Sequence, residues 1–214
     1  MKALIVYGGW EGHEPGPVSE VLARALAENG VEVERRDTLD AFGELDPLLE
    51  CDLIVPIWTM GKIGGEQCRN LCSAVEQGVG LAGCHGGMGD AFREATNYQF
   101  MVGGQWVAHP GNLTDYRVHV VDHADPITAG LGHFDLHSEQ YYMHVDPSNH
   151  VLATTTFEHN GCTMPAVWKR MWGRGRVFYS SLGHVAKDFD VPEVLTIQTR
   201  GMIWAAQGRQ AAKP

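Results

Sequence analysis

The order of apolar runs over the first ninety residues constrains this chain more than any single motif. Residues 3–7 (Ala-Leu-Ile-Val-Tyr) form a continuous apolar run, the pattern of a strand buried on both faces. A polar, Gly-rich loop over 8–16 follows. Val18, Val21, Leu22, Ala25 and Leu26 then recur at helical spacing, with Asn29-Gly30 as the stop signal. Val31 and Val33 alternate with Glu32 and Glu34, as in a half-exposed strand nearer a sheet edge. Residues 53–58 predict a third strand with Pro56 at its end, and residues 66–77 a helix closed by Gly78. A fourth apolar run from Gly80 opens into Gly83-Cys84-His85-Gly86-Gly87-Met88-Gly89-Asp90. This β-α-β-(loop)-β-α-β alternation predicts an α/β fold with a parallel sheet covered by helices on both faces. Ligands of such sheets bind outside the carboxyl ends of the strands. The loops holding Trp10–Glu14, Trp58–Lys62 and Cys84–Asp90 are therefore expected on one rim.

The second half reads differently. Residues 91–100 predict a helix, whereas 103–111, with its glycines and closing Pro110-Gly111, does not. Residues 116–121 alternate like a strand, and 125–131 predict a turn leading into a short helical piece. Residues 136–145, 151–157 and 165–172 predict strands, some antiparallel because their connections are too short for helices. Residues 176–182 form a further buried strand ending at Gly183-His184, and 191–207 a closing helix with Pro192 in its first turn. A chain of 214 residues fits one large core, so a single domain is expected over 1–208 with a frayed tail over 209–214.

Charge and composition narrow the partners. A net charge of −10 argues against a nucleic-acid backbone or an anionic membrane. No apolar stretch approaches the roughly 20 residues of a membrane span, and the apolar run near Met1 is too short for a signal peptide. A cytoplasmic protein is expected. Its five cysteines are odd in number and scattered, which disfavours a disulfide framework. Cys68 and Cys72, four apart in the expected helix, read as small core hydrophobes.

Among eleven histidines, position singles out three. His85, His109 and His184 each follow an apolar segment and sit in a loop flanked by Gly or Pro. Glu139 interrupts an apolar strand in Ser138-Glu139-Gln140-Tyr141-Tyr142. Asp90 and Arg93 open the next helix, where Asp90 serves either a site or an N-cap. Imidazoles suit proton transfer near neutrality, and a neighbouring carboxylate fixes their tautomer. Three histidines and a glutamate could equally bind a divalent metal, and spacing does not choose between the two. His119, His123, His133, His150 and His159 read as solvated, and His144 as lying in or near a strand.

Several motifs in order carry a family resemblance: Gly8-Gly9-Trp10-Glu11-Gly12-His13-Glu14-Pro15, Gly86-Gly87-Met88-Gly89-Asp90-Ala91-Phe92-Arg93, Gly103-Gly104-Gln105-Trp106-Val107-Ala108-His109-Pro110, Ser138-Glu139-Gln140-Tyr141-Tyr142, Met164-Pro165-Ala166-Val167-Trp168 and Ser180-Ser181-Leu182-Gly183-His184. Over nearly its whole length the chain resembles the ThuA-like family of trehalose-utilisation proteins. The resemblance implies a flavodoxin-like three-layer sandwich, mostly parallel with additional antiparallel strands, related to class I glutamine amidotransferases. It also implies a role in the catabolism of oxidised (3-keto) disaccharides or glycosides, as a hydrolase, lyase or isomerase. On this reading His85, His109, Glu139 and His184 are the catalytic candidates. Trp10, His13, Trp58, Asp90, Arg93, Gln105 and Tyr141 are the substrate-binding ones, Trp106 adding another aromatic face. No motif requires a cofactor; a divalent metal on His85, His109, Glu139 and His184 is allowed, and so is a homo-oligomer. The partner expected is a small sugar. A second reading aligns Ala82-Gly83-Cys84-His85-Gly86 with the G-x-C-x-G elbow of amidotransferases, with Cys84 as nucleophile and His184 as base. It lacks the third member, since Ala186 stands where a Glu belongs. A third reading is a non-catalytic sugar- or partner-binding domain.

Overall fold

The computed structural model describes residues 1–211, with side chains through 209. The elements in order are β1 (Lys2–Gly9), α1 (Pro15–Glu28), β2 (Glu32–Arg36), α2 (Leu45–Leu49), β3 (Leu53–Thr59), α3 (Gly65–Glu76), β4 (Gly80–Cys84), α4 (His85–Gly89), α5 (Thr96–Val102), β5 (Gly104–Ala108), β6 (Leu113–Val120), β7 (Phe134–Glu139), β8 (Tyr142–Val145), β9 (His150–Thr156), β10 (Thr163–Trp172), β11 (Gly175–Ser180) and α6 (Pro192–Ala211). Nine strands form one sheet in the order β2-β1-β3-β4-β11-β10-β9-β6-β7, while β5 and β8 pair separately. The ladders from β2 to β11 are parallel, and those from β11 to β7 antiparallel. This is the flavodoxin-like α/β architecture, with an antiparallel extension as wide as its parallel half.

Why the parallel strands read as unbroken apolar runs is visible in the core. Ala3 and Ile5 pack with Val18, Leu22 and Leu26 of α1 and Ile197 and Met202 of α6. Their neighbours Leu4 and Val6 pack on the opposite face with Leu71 and Val75 of α3 and Tyr98 and Met101 of α5. Alternate residues serve alternate faces, and both faces are covered.

Five local expectations are corrected. Pro56 lies in the middle of β3. The β3–β4 ladder covers only Leu53 and Ile54, so Pro56 sits beyond its end and its missing N–H interrupts no bond there. The helix expected over 91–100 starts only at Thr96, after a turn closed by Ala95 N–H donating to Phe92 O. The piece 125–131 is a turn without helix. Residues 136–145 are two strands in different sheets, broken where Gln140 and Tyr141 turn inward and become buried. The closing helix runs on through Ala211, so the first part of the expected tail is helical, and residues 212–214 lie outside the described residues. Among the described residues, no helix is long and apolar enough to cross a membrane.

The antiparallel extension is what builds the site. In a flat sheet β4 and β7, five ladders apart, would be separated by about 24 Å, at about 4.8 Å per strand. Yet Glu139, the last residue of β7, touches His85, the first residue after β4. The sheet twists and curls until its far edge hangs over the carboxyl ends of the parallel strands.

Candidate active site

The turn from β4 into α4 carries the strain of the site. His85 has φ = 47°, a left-handed conformation that is uncommon outside Gly and persists where surrounding structure enforces it. Cys84, before it, is ordinary extended backbone at φ −137°. The elbow therefore registers one residue later than the sequence suggests, as Gly83-Cys84-His85-Gly86-Gly87, with histidine at its apex. The flanking glycines fit this register: a Cβ on Gly83 would come 2.8 Å from Met88 Cβ, and one on Gly87 2.8 Å from Ile57 Cα. Cys84 packs into the core on the α1–α6 side. Burial, with a lesser push from Asp188, drives its thiol up to about 12. A thiolate is not available there at neutral pH, and the amidotransferase reading loses its nucleophile.

Four imidazoles surround one carboxylate. Glu139 Oε2 lies 3.1 Å from His85 Nε2 and 3.6 Å from His13 Nε2. Glu139 Oε1 lies 3.7 Å from His184 Nε2 and 3.8 Å from His109 Nδ1. His13 follows β1, His85 follows β4, His184 follows β11, and His109 follows β5. The rim expected from topology thus forms, with the hairpin β5–β8 added to it. The His13, His85 and His184 rings meet one another at centroid distances of 4.8–5.1 Å. Tyr141 lies against His85 at 3.9 Å, and the Tyr179 hydroxyl donates to His85 O. His85 is 2% exposed at its side chain, whereas His109 is 30% exposed. Its Nδ1 is nonetheless buried and without a hydrogen-bond partner.

Hydrogen bonds orient two of the rings. His85 Nδ1 is 2.8 Å from Ser181 O, and a carbonyl can only accept, so the proton sits on Nδ1. His13 Nδ1 is held by the Thr59 hydroxyl at 2.8 Å. Both rings thereby aim Nε2 at Glu139. Burial pushes His85 down to about 3, only partly offset by Glu139, and burial likewise lowers His184. Burial alone would raise Glu139, but the contacts with His13 and His85 and the charges of His85 and His184 outweigh it and hold the carboxyl low. The cluster thus sets an ionised carboxylate among imidazole rings, with His85 Nε2 facing Oε2 at 3.1 Å.

Asp188 completes the scaffold without entering the cluster. Its Oδ2 accepts from Ser138 Oγ (2.6 Å) and from the backbone N–H of His184 (2.9 Å), so it anchors the His184 loop rather than the imidazole. Asp90 is not an N-cap; it is the C-cap of α4 and pairs twice with Arg93, whose guanidinium stacks on Trp106 at 4.7 Å. Trp106 in turn lies 5.6 Å from the His109 ring. Trp10 is 48% exposed and meets His13 edge-on at 4.7 Å. Trp58 packs against the core cluster formed by α3 and α5. Gln105 does not join the imidazoles. It lines a groove of about 800 Å³ that shares Arg93 and Trp106 with the rim but none of the five cluster residues. Thr59, Ser181, Gln140 and Asp188 were not singled out in the sequence. Thr59 and Ser181 had one available signal, since each lies at a strand's carboxyl end.

The ligating atoms of His13, His85, Glu139 and His184 all lie within 4.8 Å of one another, so these four residues could hold a metal ion. His109 is not among them, and His13 stands where the donor set drawn from the sequence had His109.

Fold and site together define a flavodoxin-like α/β protein whose strand-end elbow presents an imidazole in place of a thiol. The ThuA family model, described as trehalose utilisation, matches residues 2–205, and the chain belongs to that family. Its structure is similar to a ThuA-like protein from Parabacteroides merdae (TM-score 0.80, 18% identity, 100% of this chain and 92% of that one). It is also similar to a ThuA-like protein from Bacteroides uniformis (0.81, 17%, 96% and 91%). A more distant likeness in fold is the glutaminase domain of Trypanosoma brucei CTPS with bound acivicin (0.55, 12%, 98% and 94%). No curated protein matches the chain.

Proposed function

We propose that this chain is a sugar-catabolism enzyme that acts on an oxidised (3-keto) disaccharide or glycoside by removing the proton next to the carbonyl. The observation that carries the reading is the asymmetry among the four imidazoles. His13 and His85 are buried and held through Nδ1, and His184 is 13% exposed at its side chain, while His109 is 30% exposed and its Nδ1 makes no hydrogen bond. His109 is the base. It accepts the C2 proton of the substrate, and the electrons of that C–H bond pass into the enolate of the C3 carbonyl. The enolate then expels the anomeric oxygen from C1, which leaves as an alcohol after taking up a proton, or is reprotonated at carbon. The developing enolate oxygen calls for a cation or a hydrogen-bond donor at this rim. Trp106, its other face held by Arg93, and Trp10 supply apolar surfaces for the sugar rings. The small sugar is the partner, and the cytoplasm, where Cys51, Cys68, Cys72, Cys84 and Cys162 stay free, is the compartment.

Incubating the protein with 3-keto-trehalose in D₂O and following C2–H by NMR tests this reading. Exchange or loss of that proton with wild type, reduced on the order of 10²–10⁴-fold in His109→Ala, is expected. Unchanged exchange in that variant, or none with wild type, contradicts it.

A further inference from the structure

We propose that His13, His85, His184 and Glu139 form a binding site for one divalent first-row transition metal of the zinc type, with His109 outside it. The inference deepens the reading above because it concerns the same site, but it rests on donor geometry rather than on sugar chemistry.

Three observations carry it. First, the Nδ1 proton of His85 goes to Ser181 O, so the ring presents Nε2 to Glu139 Oε2 at 3.1 Å, and the ligating atoms of His13, His85, His184 and Glu139 all lie within 4.8 Å of one another. Second, the separations are those of donors on one ion. Bonds of about 2.0–2.1 Å to nitrogen and oxygen in tetrahedral array place neighbouring donors about 3.3–3.4 Å apart. Glu139 stands 3.1, 3.6 and 3.7 Å from the Nε2 atoms of His85, His13 and His184. Third, the outer partners are those that metal-binding histidines use. His85 is oriented through Nδ1 by a backbone carbonyl and His13 through Nδ1 by a hydroxyl, and both thereby present Nε2 inward. Imidazole-rich sets with one carboxylate suit zinc, iron, cobalt or nickel, and are poor hosts for magnesium or calcium.

The close approach of His13 depends on Gly86: a Cβ there would come 2.6 Å from the imidazole. Gly86 lies inside the elbow, so the turn that strains His85 also admits His13. Glu139 arrives from the opposite edge of the sheet, and the site closes only when both halves of the fold are in place.

The test uses full-length protein purified without a histidine tag. Metal content is measured directly, and chelator-treated protein is titrated with Co²⁺ by visible absorption and with Zn²⁺, Mg²⁺ or Ca²⁺ by thermal shift. About one zinc-type ion per chain, a tetrahedral-like Co²⁺ spectrum, and a Tm rise with Zn²⁺ but not with Mg²⁺ or Ca²⁺ are expected. His13→Gln should lose the ion and His109→Ala should keep it. Should His13→Gln fail to fold, the wild-type Co²⁺ spectrum and the His109→Ala content still decide. No ion and no shift in wild type, or an ion kept by a folded His13→Gln and lost by His109→Ala, overturns the proposal. Metal binding without turnover of a keto sugar would leave this inference standing and remove the functional reading; turnover by a wild type that binds no metal would do the reverse.

Discussion

Among the described residues, two groups of three or more histidine and carboxylate side chains bring their ligating atoms within 4.8 Å of one another, and they differ in what else those atoms do. In the group Asp122, Asp125 and His150, the lone pairs are already taken. Asp122 Oδ1 accepts from the N–H groups of Ala124 and Asp125, and its Oδ2 meets His150 Nε2 at 2.8 Å. Asp125 Oδ1 accepts from Ile127 N–H, and its Oδ2 pairs with Lys169. That lysine supplies the cation the carboxylate needs. In the group His13, His85, His184 and Glu139, the outer nitrogens of His13 and His85 are satisfied, and their inner nitrogens converge on a carboxylate that, among the described residues, pairs with no lysine or arginine. Proximity of donors is common to both; a lysine already paired with a carboxylate is found only in the first.

The comparison can be broken by substitution, beginning where the effect should be greatest. Glu139→Gln removes the charge on which four imidazoles converge, and should lower kcat/KM on a keto glycoside on the order of 10³-fold, with loss of bound metal. A variant with near wild-type turnover would place the chemistry elsewhere. Gly86→Ala should weaken zinc affinity about 10–100-fold by displacing His13, read as a shifted Co²⁺ titration with His85 still in place. Thr59→Val removes only the outer partner of His13 and should cost about tenfold in the same titration. Cys84→Ser should leave kcat/KM within about threefold, and native Cys84 should resist alkylation at pH 8, because only about one thiol in 10⁴ is ionised when its pKa is about 12. Rapid alkylation, or loss of turnover in a folded Cys84→Ser, would restore the thiol reading. The smallest effect belongs to the other group: Asp122→Asn and His150→Ala should leave metal content and turnover unchanged, since neither residue approaches the rim.

Much of this was legible in the sequence, and the failures share a cause. Continuous apolar runs separated by helical spacing identify the parallel half, because strands buried on both faces leave that mark. The carboxyl-edge rule then locates the rim. The antiparallel extension was legible as strands but not as a curl, since no local pattern records that β7 folds back over β4. For that reason Glu139 could be noticed as a polar interruption, while its place among the imidazoles could not be derived. The elbow register turned on one φ angle at His85, and a string with Gly at 80, 83, 86, 87 and 89 permits more than one alignment. His13 was visible as a rim residue, but its exchange with His109 as a metal donor depends on distances across four separate loops.

The most direct measurement is anomalous diffraction from crystals of tag-free protein soaked in a low concentration of Zn²⁺, recorded on both sides of the zinc absorption edge. The account predicts one strong peak bounded by His13, His85, His184 and Glu139, with none between Asp122, Asp125 and His150. A peak confined to the second group, or no peak at the first, would contradict it.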